Sequence, residues 1–212
     1  TASPTPTPTP TDPAPEPEET HISFTELSAR NGQYSDVAAA EAKLVDEDGD
    51  PIGDADVIFK LFGADGVDEA IGTTDDRGLA GAIFSLDRDP GDYQLSAEYA
   101  GRDGDHLMSF TATDFSIVRE EVVLDVNVEG TGSNRTIYAT LTDEDTPMRG
   151  VSDAVVHFYV DGKRFGEAVT DRLGMVSMQA PSGARGQGKK HFWEVVFAGD
   201  AYWLPATGSS RT

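Results

Sequence analysis

Residues Leu44-Val45-Asp46-Glu47-Asp48 return as Leu141-Thr142-Asp143-Glu144-Asp145, 97 positions later. Thr74-Asp75-Asp76-Arg77-Gly78 returns as Thr170-Asp171-Arg172-Leu173-Gly174 at an offset of 96, and Tyr99-Ala100-Gly101 as Phe197-Ala198-Gly199 at 98. Three landmarks kept in order at nearly constant spacing mark an internal duplication. Any fold assigned to the first unit of about 95 residues must therefore also suit the second, and a unit of that length is a common size for one domain.

Inside each unit the hydrophobic pattern has period two. Tyr93, Leu95, Ala97 and Tyr99 alternate with Gln94, Ser96 and Glu98, so one face is buried and the other wet. Val57, Phe59 and Leu61 line one face of a more apolar run, with Ile58, Lys60 and Phe62 opposite. Strands are expected near 22–27, 36–46, 55–63, 69–75, 80–86, 93–101 and 109–118, bounded by Gly, Asp and Pro. The second unit repeats the set near 122–130, 135–143, 154–162, 163–170, 175–181, 189–199 and 202–208. No helical pattern persists for three turns. Seven short strands at 8–12-residue spacing fit a Greek-key β-sandwich, so the expected fold is all-β, with two tandem sandwiches over 21–119 and 120–212.

Residues 1–20 differ from the rest. They hold seven of the twelve prolines, six Thr and no large apolar side chain, which predicts a disordered, extended Pro/Thr-rich linker of about 3.1 Å per residue. The chain begins at Thr1 rather than Met, as expected of a mature protein or of a fragment. It has no Cys, which excludes disulfide frameworks, thiolate metal clusters and cysteine nucleophiles. Its 16 basic and 38 acidic residues give a net charge of −22, concentrated in residues 21–120, which carry −15. With so few Lys and Arg, neither nucleic acid nor an anionic membrane is an expected partner. No stretch approaches the roughly 20 apolar residues of a membrane span. High acidity with few lysines also resembles proteins adapted to strong salt.

The order "GQYSD", "DEDGDPIGDADVIFKL", "TTDDRGLAGAIFSL" and "PGDYQLSAEYAG" resembles the bacterial immunoglobulin-like domains found in tandem on adhesins and invasin-type proteins. The resemblance covers 22–118 well and 122–209 less well, because "PSGARGQGKKHFW" replaces "DRDPGDYQL" in the second unit. It implies a structural or adhesive module and brings no catalytic residues. Tyr93 resembles the tyrosine corner of such sandwiches. His191 stands at the matching position of the second unit, which predicts that this hydroxyl tie is missing there.

Two candidate sites follow from residue chemistry. Asp46, Asp48 and Asp50 alternate, and carboxylates spaced by two can converge on calcium, although the helix-loop-helix pattern fails at Pro51 and Val57. The competing reading is a solvated acidic turn. Tyr202 and Trp203 are adjacent, so in a strand they face opposite ways and one is available to stack on a sugar ring with Tyr138 or Tyr159. Trp193 falls on the buried phase of its strand. The four His lack metal-ligand spacing, and no Ser lies in a nucleophile-elbow motif. The expectation is a non-enzymatic, monomeric, extracellular spacer or adhesion segment with a protein or glycan partner at a cell surface and no cofactor except possible calcium. The alternative is an accessory carbohydrate-binding module of a secreted glycan-degrading enzyme.

Overall fold

A computed structural model describes residues 16–64, 66–131, 134–181 and 190–212. The expected linker as far as residue 15, and the divergent segment 182–189, lie outside the described residues. Two compact units are present. The first comprises the chain up to Arg30 with Ala39–Phe84 and Tyr93–Phe115, and the second comprises Asn31–Ala38, Ser85–Asp92 and Ser116–Thr212.

The first repeat forms β1 (Thr20–Phe24), β2 (Asn31–Gln33), β3 (Val37–Asp46), β4 (Asp56–Gly63), β5 (Gly66–Thr73), β6 (Leu79–Ser85), β7 (Gly91–Tyr99) and β8 (Ser109–Val118). The second forms β9 (Val122–Glu129), β10 (Thr136–Asp143), β11 (Val155–Val160), β12 (Lys163–Val169), β13 (Met175–Gln179), β14 (Phe192–Phe197) and β15 (Ala206–Arg211). The sheet β1-β3-β6 matches β9-β10-β13, and the run β5-β4-β7-β8 matches β12-β11-β14-β15. Apart from the short β2, which joins the large sheet beside β8, the chain in each repeat leaves the small sheet for two strands of the large one, returns for one, and leaves again, which is the Greek-key sandwich. No described residue lies in an α-helix.

Alternation explains the cores. Val57, Phe59 and Leu61 of β4 are buried, as are Val156 and Phe158 of β11. On β7 the inward set is Tyr93, Leu95, Ala97 and Tyr99, and on β14 it is Trp193, Val195 and Phe197. Trp193 is fully buried, and its indole N–H donates to Thr212 Oγ1 at 3.0 Å, so its one polar atom is satisfied.

The repeated landmarks are backbone locks. The Leu44 N–H donates to the Gly78 carbonyl (2.8 Å) while the Leu44 carbonyl accepts from Ile52 N–H (3.2 Å). Leu141 does the same with Gly174 (2.9 Å) and Val151 (2.9 Å). Both glycines take positive φ, +74° and +71°, and a Cβ on either would collide with the leucine carbonyl it faces. The turns are held by aspartates: Asp75 Oδ1 accepts from Arg77 and Leu79 N–H, and Asp171 Oδ1 from Leu173 and Met175 N–H. Buried Thr74 and Thr170 complete the pattern by accepting the N–H of Ala55 (2.9 Å) and Ala154 (3.0 Å). Thr170 also donates to the Val151 carbonyl at 2.6 Å.

Four details depart from the sequence reading or add to it. β2 was not anticipated: three residues pair in parallel with Ser116–Val118 of β8, too short a run to show periodicity. The last residues of the expected linker are bonded into the fold, since Glu18 N–H donates to the Asp105 carbonyl and Thr20 Oγ1 to that of Leu107. His191, which has no hydroxyl to offer, pairs instead through its Nδ1 with Asp161 Oδ2 at 2.7 Å. Finally, the strand expected over 202–208 begins only at Ala206. Gly199 at φ +78° and the Asp200 carboxylate, which accepts from Tyr202 and Trp203 N–H, fold 200–203 into a turn.

Gly78→Ala and Gly174→Ala are each expected to lower the melting transition of their own unit. A left-handed residue with a Cβ costs about 1–2 kcal/mol before any collision, and about 1 kcal/mol moves the Tm of a domain this size by roughly 4–8 °C. Calorimetry that finds both transitions unmoved would show that the locks are dispensable. The nearly isosteric Thr170→Val leaves the Ala154 N–H unpaired, at an expected cost of about 1–3 kcal/mol, read by denaturant unfolding.

Candidate functional site

The predicted calcium residues form a local turn. Asp46 Oδ1 accepts from the N–H of Asp48 (3.0 Å) and Asp50 (2.8 Å), and Gly49 sits at φ +87°. Half-buried Asp46 thus spends an oxygen on backbone donors, while Asp48 and Asp50 point into solvent. Repeat two uses Asp143 the same way, capping Thr146 N–H at 2.8 Å.

Tyr202 and Trp203 sit in the second unit, and neither stands free. The Tyr202 ring lies 4.8 Å from Tyr34, tilted at 43°, and Trp203 meets Tyr34 edge-on at 5.6 Å. The Arg149 guanidinium stacks 5.8 Å over the Trp203 ring and donates to the Ser35 carbonyl at 3.3 Å. The Tyr202 hydroxyl donates to Asp89 at 2.8 Å, and that bond holds its pKa above the usual phenol value. Both rings are half-buried. Tyr138, by contrast, is exposed and borders a shallow groove with Val169, Asp171 and Met175.

Beneath this aromatic group lies a set of carboxylates that the sequence did not reveal. One oxygen each from Asp36, Glu120 and Asp145, all in the second unit, lie within 4.8 Å of one another. Glu120 is fully buried, and neither of its carboxylate oxygens has a hydrogen-bond partner. Burial pushes its pKa up to about 7, reinforced by Asp36, Asp143 and Asp145 and opposed by the Glu121 N–H, which lies near the carboxylate without forming a well-aligned hydrogen bond. Asp36 is raised as well, by burial first and then by Asp145 and Asp143, with Arg149 working the other way.

Backbone bonds explain how these side chains meet. Glu120 N–H donates to the Tyr202 carbonyl and its own carbonyl accepts from Leu204, both at 2.8 Å, which fixes the residue beside Trp203. Asp36 is held by Leu86 N–H, which donates to its carbonyl at 2.8 Å. Asp145 follows the Asp143 cap. The three lie 84 and 25 positions apart, so no local spacing could announce them. The one available sign is that Glu18 occupies the corresponding place in the first repeat, bonded to Asp105 and Leu107 as Glu120 is to Tyr202 and Leu204.

No family model and no curated protein matches this sequence. Solved structures do. Invasin, a bacterial integrin-binding protein, aligns with 91% of the chain at 18% identity and a TM-score of 0.53, over 38% of its own length. A tetra-tandem repeat from the extending region of a large adhesion protein aligns with 92% of the chain at 13% identity and TM-score 0.41, over 48% of its length. The Yersinia pseudotuberculosis adhesin InvE aligns with 90% at 15% identity and TM-score 0.38, over 58% of its length. The chain thus spans less than two thirds of each of these proteins. Its fold is that of the tandem bacterial immunoglobulin-like domains seen in invasin.

Proposed function

We propose that this chain is a non-enzymatic spacer or adhesion segment of an extracellular or cell-surface protein. The observation that carries this reading is the repetition of one closed sandwich, with the same backbone locks, twice in a single chain that follows the invasin fold along 91% of its length. A repeated sandwich suits reach and mechanical persistence, because its first and last strands are held by ladders rather than by side chains alone. β1 runs antiparallel to β3, and β2 runs parallel to the end of β8. Pulling on parallel strands attached to opposite ends of a domain loads their hydrogen bonds in shear, so the bonds must fail together. The surface that a partner would meet is acidic, which favours a cationic or neutral protein or glycan over polyanions.

The accessory carbohydrate-binding reading has one observation in its favour, the exposed Tyr138 ring beside an open groove. Tyr202 and Trp203 are half-buried and already packed against Tyr34 and Arg149.

Stretching the chain between its termini in a single-molecule force experiment should give two unfolding events, each releasing about 300 Å of chain for about 95 residues at roughly 3.5 Å per residue. Extension with no such events would remove the spacer reading. Retention on cellulose, chitin or cell-wall glycans that Tyr138→Ala abolishes would instead select the carbohydrate-binding alternative.

A further inference from the structure

Both repeats place a glutamate at the same backbone position, yet the two side chains meet different surroundings. Glu18 is exposed, bridges to His106 through the backbone, and has that histidine's Nε2 3.8 Å from its carboxylate. Glu120 bridges to Trp203 instead, which cannot neutralise it, and its buried carboxylate is left with two orphaned oxygens. A buried carboxylate without a partner is strongly disfavoured, and native proteins relieve such groups with a hydrogen bond, a counter-charge, a metal or a bound proton. Here the neighbours are two further carboxylates, Asp36 and Asp145, with Asp143 behind them. The nearby cation, Arg149, is used elsewhere: it lies 4.0 Å from Asp143, donates to the Ser35 carbonyl and covers the Trp203 ring.

We infer that Asp36, Glu120 and Asp145 bind a divalent cation, with calcium the ion that the donor set fits best. Three oxygens within 4.8 Å of one another fit inside a coordination shell with metal–oxygen bonds of about 2.4 Å, the calcium range, whose diameter is about 4.8 Å. The donors are all hard carboxylate oxygens, with no sulfur or imidazole in the set, which disfavours zinc and copper. Magnesium demands a near-regular octahedron and keeps most of its water, a poor match to a site with one ligand fully buried and another exposed. Each ligand comes from a separately anchored stretch of backbone, so the site exists before the ion arrives. Asp145, the exposed member, provides the route of entry. The Asp46 turn differs in kind, since one of its oxygens is already bonded to backbone donors.

The test is terbium and calcium binding to the full chain. Terbium emission sensitised through Trp203, whose backbone pairs with Glu120, should saturate with one equivalent and be displaced by calcium, at a Kd in the range of about 0.1–1 mM typical of extracellular modules. Asp145→Asn, at an exposed position that leaves the fold intact by circular dichroism, should weaken calcium at least about tenfold. Glu120→Gln should abolish it, and Asp48→Asn with Asp50→Asn should leave it unchanged. Calcium should raise the melting temperature of the native chain and not that of Asp145→Asn. No calcium binding by calorimetry at about 10 mM would overturn the proposal. So would binding that survives Asp145→Asn but disappears in the Asp48/Asp50 variant, which would place the ion in the turn. Equal affinity for magnesium would overturn the choice of ion.

Discussion

Each repeat is organised by one buried leucine whose two backbone groups are both committed. Leu44 and Leu141 are fully buried at strand ends, where an unpaired N–H or carbonyl would be costly, and each uses a turn glycine and the first residue beyond the following loop as partners. That exchange fixes how far β6 or β13 lies along β3 or β10, and therefore which side chains face inward. A slip of one residue would turn every buried side chain of the strand outward. The Asp turns and the buried Thr residues make the same register the cheapest one from the other side of the loop.

This is also why so much of the fold could be read from the sequence. The landmarks that recur at offsets of 96–98 are the residues with backbone duties: Leu44 and Leu141, Asp75 and Asp171, Gly78 and Gly174. Alternation then supplied the strand identities, and Trp193 fell in the core as its phase required. What escaped had no local periodicity. β2 is three residues long and includes a glycine. The 200–203 turn arises from a single Asp200 side chain capping two N–H groups, and an apolar pair in the sequence disguised it as a strand. The carboxylate set depends on residues far apart in the chain, so only the fold could bring them together. His191 shows a further limit: the repeat offset sets it opposite Tyr93, but its bond to Asp161, 30 positions away, carries no sequence signal.

Charge is handled differently in the two repeats. Most acids of the first repeat are solvated or capped, as at Asp46 and Asp75, where backbone N–H groups receive the carboxylate. Hydrogen bonds to Leu79, Arg77 and the Arg77 side chain hold Asp75 below the usual carboxylate range. In the second repeat Glu120 lies in the interior where Glu18 is exposed, and its carboxylate has no donor. Duplication copies a backbone position faithfully, but the side-chain environment around that position is free to diverge, and a new site can arise at the point of divergence.

The placement of the tryptophans has an optical consequence. Trp193 and Trp203 are the two in the chain, and both belong to the second unit, one sealed in its core and the other stacked between Tyr34 and Arg149. Light absorbed near 295 nm therefore interrogates that unit alone, while the first unit, built around Phe59, Phe84 and Tyr99, is dark at that wavelength. The protein thus carries a built-in tryptophan reporter for one unit only, since its tyrosines are shared: Tyr93 and Tyr99 in the first, Tyr34, Tyr138, Tyr159 and Tyr202 in the second.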